Sequence, residues 1–391
     1  MKPLSIYVHV PFCVRKCAYC DFLSFEGKMD MQGPYVGALN RELQILEEKY
    51  EKKFFDEYEV VTIYFGGGTP TSIKPSYICE FLSKIKEKFT VSEYAEITLE
   101  ANPGTVNGES LRQYKEAGFN RLSFGLQSAD NAELNFLSRI HTFEEFRENY
   151  SEACEAGFSN INVDIMTALP YQDSHILNKT VDEIMMLPKR PSHISSYSLI
   201  VEKGTPFFDK YGELDENGKY TGPEGGFVPT GEKERELYYL VRDRLVNEGY
   251  IQYEISNFAH EGYESRHNSA YWTGQDYIGL GLGASSYIDN VRYKNESDLN
   301  KYIEEQSTFD EKIVIDKKGR MEEFMFLGLR MFGGVSEYEF RSRFSEDIRN
   351  VYGKALEKLI SEGLLIYEDR RFYLSDAGID YGNYCFSQFV S

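Results

Sequence analysis

A chain of 391 residues is longer than one ordinary compact domain, unless that domain is an α/β barrel of about 200 to 250 residues carrying a smaller appendage. Hydrophobic residues at 41% and aromatics at 15% supply a sizeable core and exclude a disordered chain. The net charge of −20 repels phosphate backbones and anionic lipid headgroups, which argues against a nucleic-acid binder or a protein held electrostatically at a membrane.

No apolar stretch approaches the roughly 20 residues of a membrane span. Even Phe324-Met325-Phe326-Leu327-Gly328-Leu329 is stopped by Arg330. The opening Met1-Lys2-Pro3-Leu4 leads into no signal-peptide apolar core. A cytoplasmic protein is expected.

The first predicted strand is Ser5-Ile6-Tyr7-Val8-His9-Val10, and directly after it comes Cys13-x-x-x-Cys17-x-x-Cys20, followed by Asp21-Phe22. A structural zinc site would want paired C-x-x-C knuckles or a later His pair. A disulfide framework would want an oxidising compartment. Neither suits this spacing, and Cys79, Cys154 and Cys385 stand alone as inert thiols. A cubane [4Fe–4S] cluster is usually held by four thiolates. Three in one tight loop therefore leave one iron open to a non-protein ligand.

Further strands are predicted at Val60 to Phe65, Ala95 to Leu99, Arg121 to Leu126, Asn160 to Met166 and Ile194 to Leu199. Between them, residues 34–53, 75–88, 110–117 and 143–156 carry apolar side chains at helical spacing. Strands alternating with helices imply a parallel sheet with right-handed crossovers. Unusual polar groups fall at or near successive strand ends: the cysteine loop, Gly66-Gly67-Gly68-Thr69-Pro70, Glu100-Ala101-Asn102-Pro103, Gln127-Ser128, Asp164 and Tyr197-Ser198. That edge gathers the active site in parallel α/β folds, so these segments converge on one mouth, which favours a barrel-like curl.

Residues 211–231 read as a loop rich in Gly, Pro and acids, and a helix is predicted from Glu232 to Asn247. Beyond it lie Arg266-His267-Asn268-Ser269-Ala270-Tyr271-Trp272 and Gly279-x-Gly281-x-Gly283. The glycine run lacks dinucleotide spacing and reads as close-packed backbone near the site. Helical runs at 322–331 and 348–362 precede a β-ribbon over 363–375. This is a winged-helix-like module, not notably basic, that packs against the main domain.

The cysteine loop with Tyr19 before its last thiolate, together with Gly66-Gly67-Gly68-Thr69-Pro70, resembles the radical S-adenosylmethionine (SAM) superfamily. Tyr7 to Cys13, Thr98 to Pro103, Arg121 to Ser128, Asn162-Val163-Asp164 and Arg266-His267-Asn268-x-x-Tyr271-Trp272 are similar to its oxygen-independent coproporphyrinogen III oxidase group, and most similar to the HemW-type haem chaperones. The resemblance implies a partial (β/α)6 TIM-like barrel with a C-terminal winged-helix-like α+β domain. It divides the chain into 1–235, the cluster and SAM core; 236–316, an extension; and 317–391, the C-terminal domain. It makes Cys13, Cys17 and Cys20 ligands of a [4Fe–4S] cluster. Tyr7, Tyr19, Gly67, Gly68, Thr69, Glu100, Gln127, Arg139 and Asp164 become SAM-pocket residues, and carboxylates and an Arg suit ribose hydroxyls and a carboxylate.

His267 reads equally as a haem ligand or as a structural histidine. The resemblance implies haem or another tetrapyrrole, apo-haemoprotein acceptors and a homodimer as partners. The alternative activity is that of a coproporphyrinogen III dehydrogenase. Those dehydrogenases carry a further cysteine where this chain has Phe22, and a longer segment before the cluster strand. Both departures favour the chaperone.

Overall fold

The computed structural model describes residues 1–49, 52–304 and 309–390. Among them, one sheet contains β1 (Lys2–Val10), β2 (Tyr58–Gly67), β3 (Val91–Ala101), β4 (Arg121–Gln127), β5 (Asn160–Thr167), β6 (His193–Ser198), β7 (Ile251–Glu254), β8 (Asn257–Ala259), β9 (Tyr277–Leu280), β10 (Ser285–Ile288), β11 (Val291–Asn295) and β12 (Phe309–Val314). Their order across the sheet is β12-β11-β10-β9-β1-β2-β3-β4-β5-β6-β8-β7. The six strands expected from the sequence are the parallel run β1 to β6. The sequence reading missed a seventh parallel strand, β9, which pairs with β1 on its other side, Tyr7 opposite Gly279. Four residues, one of them Gly279, carry too little β signal to reveal it.

Helices Gln32–Lys49, Pro75–Lys88, Gly108–Ala117, Phe143–Glu155 and Ser174–Met185 follow successive strands. Of the helix expected over 34–53, Lys52–Glu57 forms a separate piece, and residues 50 and 51 lie outside the described residues. Asn107 and Thr142 close capping boxes on their helices, each contributing about 1 kcal/mol. Gly118 ends its helix at φ 104°, a conformation that favours glycine.

Strand alternation decides what the curved sheet encloses. On β1, Leu4, Ile6, Val8 and Val10 are at most 1% exposed and belong to the apolar core under the helices, while Ser5, Tyr7 and His9 point the other way. The same alternation puts Thr62 and Tyr64 of β2, Arg121 and Ser123 of β4, Asn162 and Asp164 of β5, and Ser195 and Tyr197 of β6 on the inner face. A packed α/β barrel fills its lumen with branched apolar side chains. Here the inner positions are polar or aromatic, and the lumen stays open.

Helix Arg266–Trp272 closes one end of that lumen. The Glu96 carboxylate accepts from the backbone N–H groups of Arg266 and His267 at 3.2 and 3.1 Å. Residues 317–390 build a separate apolar core around Met325, Phe340, Leu359 and Phe372. Helices Lys317–Gly328, Glu337–Phe344 and Ile348–Ser361 pack there with a three-stranded antiparallel sheet, β13 (Val335–Ser336), β14 (Leu365–Glu368) and β15 (Arg371–Leu374). This module rests on the barrel: Arg330 lies 3.6 Å from buried Glu254 and 4.3 Å from the centre of the Trp272 ring. Among the described residues no helix is long and apolar enough to cross a membrane.

Candidate metal centre and its adjoining cavity

The cysteine loop is fastened at both ends. Phe12–Cys13 pairs in parallel with Phe25–Glu26, and Lys16 ties the interior by donating from Nζ to the Phe22 carbonyl at 3.0 Å and from its backbone N–H to Glu26 at 3.1 Å. Across the mouth, Ala18 donates to the Leu137 carbonyl at 3.2 Å and accepts from the Phe207 N–H at 3.0 Å. Cys13, Cys17 and Cys20 thereby line a cavity of about 340 Å³. All six cysteines are free thiols. Burial pushes the Cys13 thiol up and the Cys20 thiol up to about 11. Thiols so raised become thiolates when a metal displaces their protons.

A ring of hydrogen bonds joins two of these cysteines. Thr69 Oγ1 lies 3.6 Å from Cys13 Sγ and accepts from Asn102 Nδ2 at 2.6 Å. Asn102 Oδ1 accepts from Arg139 Nη2 at 2.7 Å, and Arg139 Nη1 donates to Cys17 Sγ at 3.4 Å. Arg139 also donates to the Gly125 carbonyl at 2.5 Å. Burial opposes its charge, but Tyr19 and Cys17 outweigh burial and its pKa is raised. It is a fixed cation against the cysteine loop, with its Nε still unpartnered.

The glycine loop fits as closely. A Cβ on Gly68 would lie 2.7 Å from the Phe12 carbonyl oxygen and 3.0 Å from Cys13 Sγ, and one on Gly67, at φ +114°, would lie 2.5 Å from the His9 ring. Only backbone without a side chain passes there.

The remaining strand ends complete the wall. Glu100 accepts from Tyr64 Oη at 2.7 Å and from the Gly67 N–H at 3.2 Å. Burial, opposed by the Tyr64 bond and reinforced by Asp164, pushes its carboxyl up to about 7. Asp164 accepts from Asn162 at 2.7 Å and is raised by burial. Gln127 sits at φ 76°, past an irregularity in the β4–β5 pairing, and accepts from Tyr197 Oη at 3.0 Å.

A second cavity of about 380 Å³ adjoins the first, and Phe22, Glu100, Ser123, Asp164 and Tyr197 line both. His267 closes its far end, 1% exposed, with Nδ1 2.8 Å from Thr62 Oγ1, Nε2 2.9 Å from Tyr271 Oη, and its ring stacked 5.0 Å from Tyr64. Burial, with the charge of Arg121, lowers its pKa to about 3. The imidazole is neutral, and ligating a metal requires giving up one of its two hydrogen bonds.

The structure thus brings Cys13, Cys17, Cys20, Tyr19, Gly67, Gly68, Thr69, Glu100, Gln127, Arg139 and Asp164 to one cavity. Tyr7, expected with them, lines the second cavity with His267 instead. His9 stands between: its ring fills the space beneath Gly67, its Nδ1 meets Tyr7 Oη at 3.0 Å, and its Nε2 meets the Leu23 carbonyl at 2.8 Å. Asn102, Tyr64 and Arg121 carry no individual site role in the sequence expectations, although Asn102 and Arg121 fall within segments named there. The period-two alternation Arg121-Leu-Ser-Phe-Gly-Leu-Gln127 carries the signal for the last, since Arg121, Ser123 and Gln127 alternate with the apolar Leu122, Phe124 and Leu126. The glycine run packs as expected: a Cβ on Gly281 would lie 2.7 Å from the His9 carbonyl.

The donor set fits an iron–sulfur cluster: three thiols of one loop around a cavity, a glycine passage at Cys13 and a buried cation with an orphaned donor at Cys17. Known proteins agree. A model of the radical SAM superfamily matches residues 7–184, and one of the HemN C-terminal domain matches residues 315–381. Heme chaperone HemW of Lactococcus lactis is 34% identical over 100% of this chain and 98% of its own length. Heme chaperone HemW of Bacillus subtilis is 33% identical over 99% of each chain. Among solved structures, the coproporphyrinogen III oxidase HemN from Escherichia coli superposes with a TM-score of 0.83 over 99% of this chain and 90% of that one, at 20% identity, a likeness of fold.

Proposed function

The chain belongs to the radical SAM superfamily and, within it, to the HemW family, and from that premise we propose that it is a haem-binding chaperone that passes haem to apo-haemoproteins. Cys13, Cys17 and Cys20 would hold a [4Fe–4S] cluster, which supplies a reducible centre with one iron free of protein thiolate. Tyr19, Gly67, Gly68, Thr69, Glu100, Gln127, Arg139 and Asp164 are then placed to bind SAM. In this reading residues 1–235 carry the cofactors, 236–316 close the lumen and 317–391 pack outside it.

The observation that carries the reading is the pair of adjoining cavities, one lined by the three cysteines and the other by His267. A cargo held in the second lies beside the cofactor pocket without entering it. Phe22, 65% exposed, stands at their junction and has no thiol to add to the cluster or to offer a substrate. The whole-chain likeness to proteins named heme chaperone supports haem as the cargo.

Anaerobically reconstituted protein is expected to bind haem stably and to leave coproporphyrinogen III unconverted in the presence of SAM and reductant. Protoporphyrinogen formed at catalytic turnover overturns the chaperone reading in favour of a dehydrogenase. Cys17→Ala is expected to abolish the cluster absorbance, and iron and sulfide at wild-type stoichiometry would overturn the ligand assignment.

A further inference from the structure

Arg121 is the first residue of β4, on its inner face, and its side chain is 2% exposed. Its Nε is buried without a hydrogen-bond partner, although its charge is felt by Glu100 and Asp164. A buried cation left in this state costs several kcal/mol. Such a group is retained where something else supplies the acceptors. What lies in front of it is the second cavity, of about 380 Å³.

The surrounding carboxylates offset part of its charge but leave the Nε donor without an acceptor. Glu100 is engaged by Tyr64 and the Gly67 N–H, and Asp164 by Asn162. Glu96, on the neighbouring strand, is spent on the N–H groups of Arg266 and His267. His193 and His267, which feel the charge of Arg121, are held neutral by burial and by that charge. Among the described lining residues Arg121 is the one permanent cation. A guanidinium presents a planar fork of donors matched to a carboxylate.

We propose that Arg121 anchors a carboxylate group of the molecule that occupies the lumen. This rests on the haem-carrier reading for the ligand, since haem bears two propionate carboxylates, and adds the residue that orients it: the carboxylate edge towards β4, the rest of the ring towards Tyr64, Tyr271 and His267. Arg121 is a binding residue for the cargo, distinct from the cofactor wall at the other cavity.

The test is a titration of cluster-loaded, full-length protein with haem and with haem dimethyl ester, in which both carboxylates are blocked. Wild type is expected to bind haem at least about tenfold more tightly than the ester, roughly 1.4 kcal/mol. Arg121→Gln is expected to bind both alike, at the ester's affinity, with its cluster absorbance intact. Arg121→Lys is expected to keep a reduced preference, and it decides the matter if the Gln variant does not fold. Equal binding of haem and ester by wild type, or an undiminished preference in the variants, overturns the proposal. If wild type binds neither, the haem reading fails. The anchor is then decided by coproporphyrin III against its tetramethyl ester: a preference lost in the variants upholds it, and no preference overturns it.

Discussion

Gly68→Ala isolates the fit between the glycine loop and the cysteine loop. Gly68 has no positive φ, so the substitution carries no backbone strain and its cost is steric. The new Cβ would lie 2.7 Å from the Phe12 carbonyl oxygen, 3.1 Å from its carbon and 3.0 Å from Cys13 Sγ. Carbon–oxygen contacts begin at about 3.3 Å, so backbone must retreat by roughly 0.6 Å. The Phe12 carbonyl is not free to do so, because it accepts from the Thr69 N–H at 2.8 Å and from Ser72 Oγ at 3.2 Å. Overpacking of this kind costs about 1 to 3 kcal/mol, and stretching the Thr69 bond adds about 1 kcal/mol. Cys13 moves with Phe12, so iron and sulfide content should fall together with stability. The assay is chemical denaturation alongside iron and sulfide analysis, with Gly226→Ala as the control, where a Cβ meets nothing within 4 Å. If Gly68→Ala matched that control in both readouts, the close approach of the two loops would be wrong.

Asn102→Ala removes the link between Thr69 and Arg139. A buried guanidinium then loses an acceptor, so the variant should be destabilised by about 1 to 3 kcal/mol and should release its cluster faster on exposure to a chelator; release at the wild-type rate would refute the ring. His267→Phe should retain the cluster, since His267 lies in the second cavity, and lose haem affinity; unchanged affinity removes His267 from the cargo site. Glu42, 4% exposed, accepts from Tyr302, Asn295 and the Gly281 N–H, and burial pushes its carboxyl up to about 7. Unfolded, it titrates near 4.3. Between those values the folded chain keeps a proton that the unfolded chain has released, so stability falls as pH rises through this window and levels off above about 7. The full effect is roughly 4 kcal/mol. Glu42→Gln, which cannot ionise, should lose that much of the pH dependence, and a wild-type slope in the variant would refute the assignment.

The local part of this protein is written in its sequence. Alternation of period two along β1 to β6, helical spacing between them and the placement of polar residues at strand ends follow from backbone geometry over a few residues. They determine six parallel strands with one functional edge. The spacing of Cys13, Cys17 and Cys20 is equally local, whereas the need for glycine at 67 and 68 comes from their close approach to His9, Phe12 and Cys13. What the sequence could not decide is how far down the lumen each inward side chain sits, because that depends on the register between strands and on neighbours distant in the chain. Tyr7 and His9 are two residues apart on one face, yet His9 takes the place beneath Gly67 and leaves Tyr7 in the second cavity. His267 reaches Thr62, 205 positions away, because helix Arg266–Trp272 is seated on Glu96. Arg121 reads as one more charged residue until strand pairing turns it inward and the surrounding carboxylates are engaged elsewhere. Periodicity is a property of a segment. The depth of a side chain in a lumen, and the partner it lacks there, are properties of the assembled sheet.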